Sequence, residues 1–339
     1  MHAAPMSAND RHISGLRLPT TALAMGGALM ALLGSQAASA TATPVSASRT
    51  VSNEAQAKSG GCHRPEVRRG RMTAYINPKS SRQFRNLARY RLAGGCRAIS
   101  VAIIFAGNYA ADERPYLRAN NNDPPTTKPF NDNIQRVLDD GSVKYLQARG
   151  IKVLLSVTNG QQPVGWSQFT SRRDALDFAR YLKNVVARYG LNGIDIDDEY
   201  STGAPNRTSL IMVTTLMRRL MPRKIITKAL FQDTSYFRAR WRGHTLAENL
   251  DYGWQESYGG QPRPRLAPYT RWLSKRQLSL GFWSGQPSPT PARDVRWLRR
   301  RGYAGVMLYA FEQRAGVNLM GDLVDAWYGP GNWRRAGAR

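Results

Sequence analysis

The chain has 339 residues, 42% of them hydrophobic, and its 49 Lys and Arg against 23 Asp and Glu give a formal charge of +26. That apolar share supports a sizeable core and excludes a chain disordered throughout. Beyond the N-terminus no apolar run reaches the roughly 20 residues that a membrane-spanning helix requires, so stable membrane insertion is not expected.

In chain order, residues 1–40 read as a signal peptide. Arg11 and Arg17 make a basic start, 21–33 is mostly apolar, and Ala38-Ser39-Ala40 offers small residues for cleavage. A secreted or periplasmic protein is expected. Residues 41–70 are rich in Ser, Ala and Thr near their start and read as a flexible leader. The two cysteines, Cys62 and Cys96, are expected to form a disulfide that ties this leader to the domain behind it.

From 71 to 330 short apolar runs alternate with amphipathic stretches. Strands are predicted at 72–76, 99–105, 151–157, 191–197, 225–231, 250–256, 278–283 and 305–311, each bounded by Gly or polar residues. Phe178, Leu182, Val185, Val186 and Tyr189 recur at helical spacing before Gly190. Ile134, Val137 and Leu138 start another helix ahead of Gly150; Val295, Trp297 and Leu298 mark a third, stopped by Gly302. Eight strand–helix units over this length predict the α/β class and a single (β/α)8 TIM barrel. A doubly wound sheet is the alternative, but no glycine-rich dinucleotide turn follows a strand. The segment 108–128 is polar and irregular, and after the second strand it would lie on the face that carries chemistry in such barrels. Residues 331–339 read as a basic tail. The other bases are scattered, as in Arg68-Arg69, Arg218-Arg219 and Arg299-Arg300-Arg301. Without a zinc-finger or RNA-binding motif they predict affinity for anionic surfaces and no nucleic-acid partner.

The most informative segment runs Leu191-Asn192-Gly193-Ile194-Asp195-Ile196-Asp197-Asp198-Glu199-Tyr200. Side chains alternate along a strand, so Asp195, Asp197 and Glu199 share the inner face and rise towards the barrel mouth. Close buried carboxylates do not all ionise, and the resulting raised pKa suits a general acid. A hard-cation site and a solvated acidic loop are the other readings of these residues.

The run Asp195-Ile-Asp197-Asp198-Glu199 resembles the end of the D-x-x-D-x-D-x-E signature of glycoside hydrolase family 18. Phe105-Ala106-Gly107-Asn108, Phe130 to Asp139 and Gly150 to Val157 further resemble its endo-β-N-acetylglucosaminidase subgroup, over about 72–328. The resemblance implies a retaining, substrate-assisted reaction at the chitobiose core of N-glycans. Glu199 would protonate the leaving oxygen. Asp197 would orient the substrate's acetamido group, and Asp195 would set the charge of Asp197. Asn192 stands where the signature has its first acid, at the foot of the strand. Gln255 and Tyr258 are expected to hydrogen-bond the acetamido oxygen, with Ser257 where an ungapped match wants a tyrosine. Tyr75, Trp254 and Tyr309, and with them Trp166, Trp283 and Phe311, are candidates to stack on sugar. A chitinase-like hydrolase and a non-catalytic glycan-binding barrel are the alternatives. The first would be expected to carry a tryptophan at the end of the eighth strand, where Leu308-Tyr309-Ala310-Phe311 has none; the second usually lacks the final Glu. No cofactor and no metal are expected, and a monomer is.

Overall fold

The computed structural model of the protein describes residues 70–110, 117–118, 129–161 and 163–337. The expected signal peptide, the leader up to Arg69, Cys62 and most of 108–128 lie outside the described residues.

In chain order the strands are β1 (Arg71–Ile76), β2 (Tyr90–Leu92), β3 (Val101–Tyr109), β4 (Leu117–Arg118), β5 (Lys152–Asn159), β6 (Gly193–Ile196), β7 (Ile225–Leu230), β8 (Tyr252–Gln255), β9 (Leu278–Trp283), β10 (Gly305–Tyr309) and β11 (Trp333–Arg335). The helices are α1 (Ser81–Leu87), α2 (Asp132–Asp139), α3 (Ser142–Gln147), α4 (Arg172–Arg188), α5 (Ser209–Leu220), α6 (Ser235–Arg238), α7 (Leu246–Asn249), α8 (Pro262–Leu266), α9 (Pro291–Arg301) and α10 (Arg314–Tyr328). β1, β3 and β5 to β10 pair in parallel, and β1 joins both β10 and β3, so the sheet closes on itself. This is the (β/α)8 barrel expected from the alternation, and each of the eight predicted strands falls on a barrel strand.

Most strand bounds shift by one or two residues from those predicted, and β3 and β6 do so for local reasons that can be named. β3 runs on to Tyr109 because a register shift between Ile104 and Gly107 lets its far end pair again with Val157 to Asn159 of β5. β6 is only four residues long, yet the Asn192 amide donates to the Val153 carbonyl and the Asp197 amide to Val157, continuing the ladder at both ends.

Alternation sorts the strand residues into two cores. Tyr75, Val101, Ile103, Leu154, Trp254 and Met307 fill the barrel, while Ile104, Leu155, Ile194, Ile196 and Ile226 face the helices. α4 answers with Phe178, Ala179, Leu182 and Val186 on its buried stripe, and the Ser171 hydroxyl caps its first turn by accepting from the Arg173 and Asp174 amides. Gly190 and Gly302 end their helices at positive φ, as expected. The helix expected before Gly150 is instead two, broken at Gly141, whose φ of 84° a side chain would resist. Gly193 has a different reason to be glycine: a Cβ there would stand 1.8 Å from the Ile225 carbonyl oxygen. Part of the basic tail is ordered, since β11 pairs antiparallel with β2 and the Trp333 ring stacks on Tyr90 at 5.8 Å.

Candidate active site

β6 delivers the acids. Asp195 is fully buried and sits level with Thr227 of β7, whose hydroxyl donates to Oδ1 at 2.5 Å. The Trp254 indole of β8 donates to the same oxygen at 2.9 Å, and the Tyr75 hydroxyl of β1 reaches across the barrel to Oδ2 at 2.6 Å. Burial pushes the Asp195 carboxyl above the usual range, against the pull of these donors, which favour its ionised form. Two residues on, Asp197 is 2% exposed and its Oδ1 has no hydrogen-bond partner among the described residues. Burial pushes its pKa well up, reinforced by the negative charges of Glu256, Glu199 and Asp195. Glu199 stands half-buried at the open end of the row. Burial raises its pKa too, opposed by a hydrogen bond from the Tyr200 side chain and by the charge of Lys228.

A fourth carboxyl joins them. Glu256 is 8% exposed, and its amide continues the β8 ladder by donating to the Leu230 carbonyl. Burial first, and then the charge of Asp195, push it up to about 8. The Tyr258 hydroxyl donates to Glu256 Oε2 at 3.0 Å, while Oε1 is buried with no hydrogen-bond partner within 3.5 Å among the described residues. Groups so close share protons as a set, and near neutral pH at least one of them is a carboxylic acid.

Among the described residues one buried lysine lends the set its charge but bonds elsewhere. Lys228 is buried on β7 and is held by Asp233, which also accepts from the Tyr269 hydroxyl at 2.9 Å. Asp198 does not join the acids either, because its Oδ1 accepts from Asn159 and Ser167, each at 3.0 Å. Among the described residues no group of three or more His, Cys, Asp or Glu side chains is arranged to hold a metal ion.

The aromatic candidates divide. Tyr309 lies 6.1 Å from Tyr258 and 5.8 Å from Trp283, and Phe105 packs edge-on against it at 5.4 Å. These rings wall the side of the mouth facing Glu256. Tyr75 and Trp254 are 1% and 0% exposed, and with their polar ends given to Asp195 they form the floor and offer no stacking face to a sugar. Trp166 and Phe311 are core: the Trp166 indole donates to the Val157 carbonyl at 2.7 Å, and Phe311 packs on Tyr90. Asn192 is a strap at the foot of the strand, accepting from the Val153 amide at 2.8 Å and from Gln147 at 2.9 Å.

Gln255 does not reach the acids. It is level with Leu230 and Leu280, which belong to the layer between barrel and helices, and neither of its amide atoms has a partner among the described residues. The inner face of β8 belongs to Trp254 and Glu256. Strand alternation counted from Trp254 would have found Glu256, a residue that reading the motif by ungapped match passed over. Tyr200 was also missed. It is the sole exposed large hydrophobic residue among those described, at 49%, and its backbone holds a φ of 65° beside Glu199.

The fold and site together define a (β/α)8 barrel with a carboxyl-lined mouth. Residues 121–284 match the family model of the endo-β-N-acetylglucosaminidase EndoS TIM-barrel domain. The chain is 34% identical over 203 residues, 57% of its length, to an endo-β-N-acetylglucosaminidase of Flavobacterium sp., of which that stretch is 60%. It is 28% identical over 198 residues to endo-β-N-acetylglucosaminidase F1 of Elizabethkingia meningoseptica, covering 54% of this chain and 56% of that one. The chain thus spans somewhat over half the length of these relatives. In fold it is similar to EndoBT-3987 of Bacteroides thetaiotamicron in complex with Man9GlcNAc2Asn, with a TM-score of 0.62, 21% identity, and 78% of this chain and 67% of that one covered. The chain resembles the endo-β-N-acetylglucosaminidases of glycoside hydrolase family 18 in its signature, in its central sequence and in its fold.

Proposed function

We propose that the protein is an endo-β-N-acetylglucosaminidase that cleaves the chitobiose core of N-glycans with retention of configuration. The observation that carries this reading is the row of acids on one strand, deeply buried at Asp195 and open at Glu199. Two carboxyls two residues apart on one strand do not flank a sugar ring as the pair of an ordinary retaining glycosidase does. Substrate assistance removes the need for a second flanking carboxylate. Glu199, its pKa raised by burial, gives its proton to the glycosidic oxygen while the substrate's own acetamido oxygen attacks the anomeric carbon. Asp197, with an oxygen left free, holds the acetamido N–H and steadies the oxazolinium ion that forms. Asp195, clamped by Tyr75, Thr227 and Trp254, keeps Asp197 in place and shares its proton. Tyr258 and Glu256 lie beside this row, joined by the Tyr258 hydroxyl. Water then opens the oxazolinium ion with Glu199 as base.

Export, and a Cys62–Cys96 bond in the exported chain, complete the proposal. Sequencing the N-terminus of the protein recovered from its host and titrating its thiols test both.

The decisive assay is mass spectrometry of ribonuclease B incubated with residues 41–339, beside the Glu199→Gln variant. The proposal requires loss of the glycan with one N-acetylglucosamine left on the protein, and an inert variant. Inactivity on high-mannose and complex N-glycans together with cleavage of chitin oligosaccharides would replace it with the chitinase reading. Binding without cleavage of any of them would leave a lectin.

A further inference from the structure

Three loops leave the C-terminal ends of β6, β7 and β8, and a groove runs along their outer side. It consists of two cavities, of about 390 and 170 Å3, that share Arg238 as a lining residue. Arg271 and Trp272 line the larger one with Thr234, Pro264 and Pro268, and Arg207 lines the smaller. Among the described residues no carboxylate lines either cavity. The three guanidinium groups are exposed, and among the described residues none has a salt bridge or hydrogen bond. The nearest acid in sequence, Asp233, precedes Thr234 but is turned inward to Lys228 and Tyr269. Its charge is therefore neutralised on the barrel side of the groove wall.

The groove wall is linked to the acids through Asp233 and Lys228. Asp233 and Tyr269 are chain neighbours of the lining residues Thr234 and Pro268, and both bond within the layer that holds Lys228. The field of Lys228 acts on Asp197 and Glu199. The groove wall thus includes chain neighbours of Asp233 and Tyr269, and Asp233 holds the lysine whose charge reaches the acids of the mouth.

We propose that this groove binds the carboxylate at the end of an acidic glycan antenna whose core lies in the barrel mouth. The inference rests on the hydrolase reading above and adds a substrate class to it. Guanidinium forks match carboxylates in geometry, and free arginines facing one apolar ring suit a charged sugar better than a neutral one. Trp272 is half-buried, with its ring 5.7 Å from Phe237. It lines the larger cavity together with Pro264 and Pro268, an apolar surface of a size that suits a single sugar ring. A nucleic-acid strand would call for several exposed aromatic platforms along the track.

The experiment is calorimetric titration of full-length Glu199→Gln protein with a sialylated biantennary glycopeptide and with its desialylated form. Two exposed charge pairs, each worth a factor of roughly two to five, predict about tenfold tighter binding of the acidic form. That preference shrinks at high salt and disappears in Arg238→Ala/Arg271→Ala, which still binds the neutral form unchanged. Equal binding of both forms overturns the groove proposal while the cleft reading stands. If neither glycopeptide binds, the cleft reading fails and sialyllactose alone judges the groove: its affinity must drop in the double variant or the proposal falls. A single-stranded oligonucleotide that binds Glu199→Gln more tightly than the acidic glycopeptide, through the same two arginines, overturns the proposal in favour of nucleic acid.

Discussion

Replacing Glu256 by Gln tests whether the barrel mouth holds a shared proton. Glu256 has an ordinary value of 4.5 and is pushed up to about 8 by burial and by Asp195. Its folded value lies above its unfolded one, so its contribution to stability is complete below about 4.5. That contribution is lost as the pH rises through about 8. At 1.36 kcal/mol per pH unit, holding the proton over that window sets a ceiling of roughly 5 kcal/mol on the loss. Gln keeps the shape and the hydrogen bonds of the protonated acid and cannot ionise. It also removes the charge that, after burial, does most to raise Asp197. For a domain of this size each kcal/mol moves the melting temperature by about 2–4 °C. The wild type and Glu256→Gln are therefore expected to melt close together at pH 5. At pH 8.5 the variant should melt higher, by up to about 10–20 °C at that ceiling. Differential scanning calorimetry across that range reads it. A constant difference between the two proteins at pH 5 and pH 8.5 would show that Glu256 is ionised throughout, and the proton-sharing argument would be wrong.

The other expectations concern neighbouring residues. Tyr200→Phe removes the hydrogen bond that lowers the pKa of Glu199, so the alkaline limb of kcat/KM should move to higher pH with the acidic limb little changed; a profile that does not move refutes that contact. Thr227→Val takes one donor from the buried Asp195 carboxylate and should cost about 1–3 kcal/mol in urea unfolding, with kcat falling more than KM rises. Gln255→Leu should be neutral or stabilising by about 1–2 kcal/mol, because both amide atoms are buried without partners between two leucines; a loss of activity at unchanged stability would put Gln255 back in contact with substrate. Gly193→Ala should unfold the protein or cost more than about 4 kcal/mol, since its Cβ would meet backbone that has no room to give.

Strand position, and the inward row Asp195, Asp197 and Glu199, were legible in the residues because alternation is a local property of an extended chain and needs no knowledge of what lies opposite. The same rule, applied from Trp254, already contained Glu256 and the outward turn of Gln255. Reading the motif by match instead of by face hid both. What lies across the barrel was decided by closure alone. Tyr75 is 120 residues from Asp195 in sequence and Trp254 is 59, and only the joining of β1 to β3 and β10 brings the three together. Burial is likewise a collective quantity. Trp166 and Phe311 are aromatic like Trp283 and Tyr309, and the helix packing around each strand end sends the first two into the core and leaves the other two at the mouth. The +26 charge was plain from composition, but Arg238 meets Arg271 in one cavity and Arg207 in the other only because the segments after β6, β7 and β8 pack side by side. Local periodicity gave each residue a face; closure of the sheet determined what that face meets.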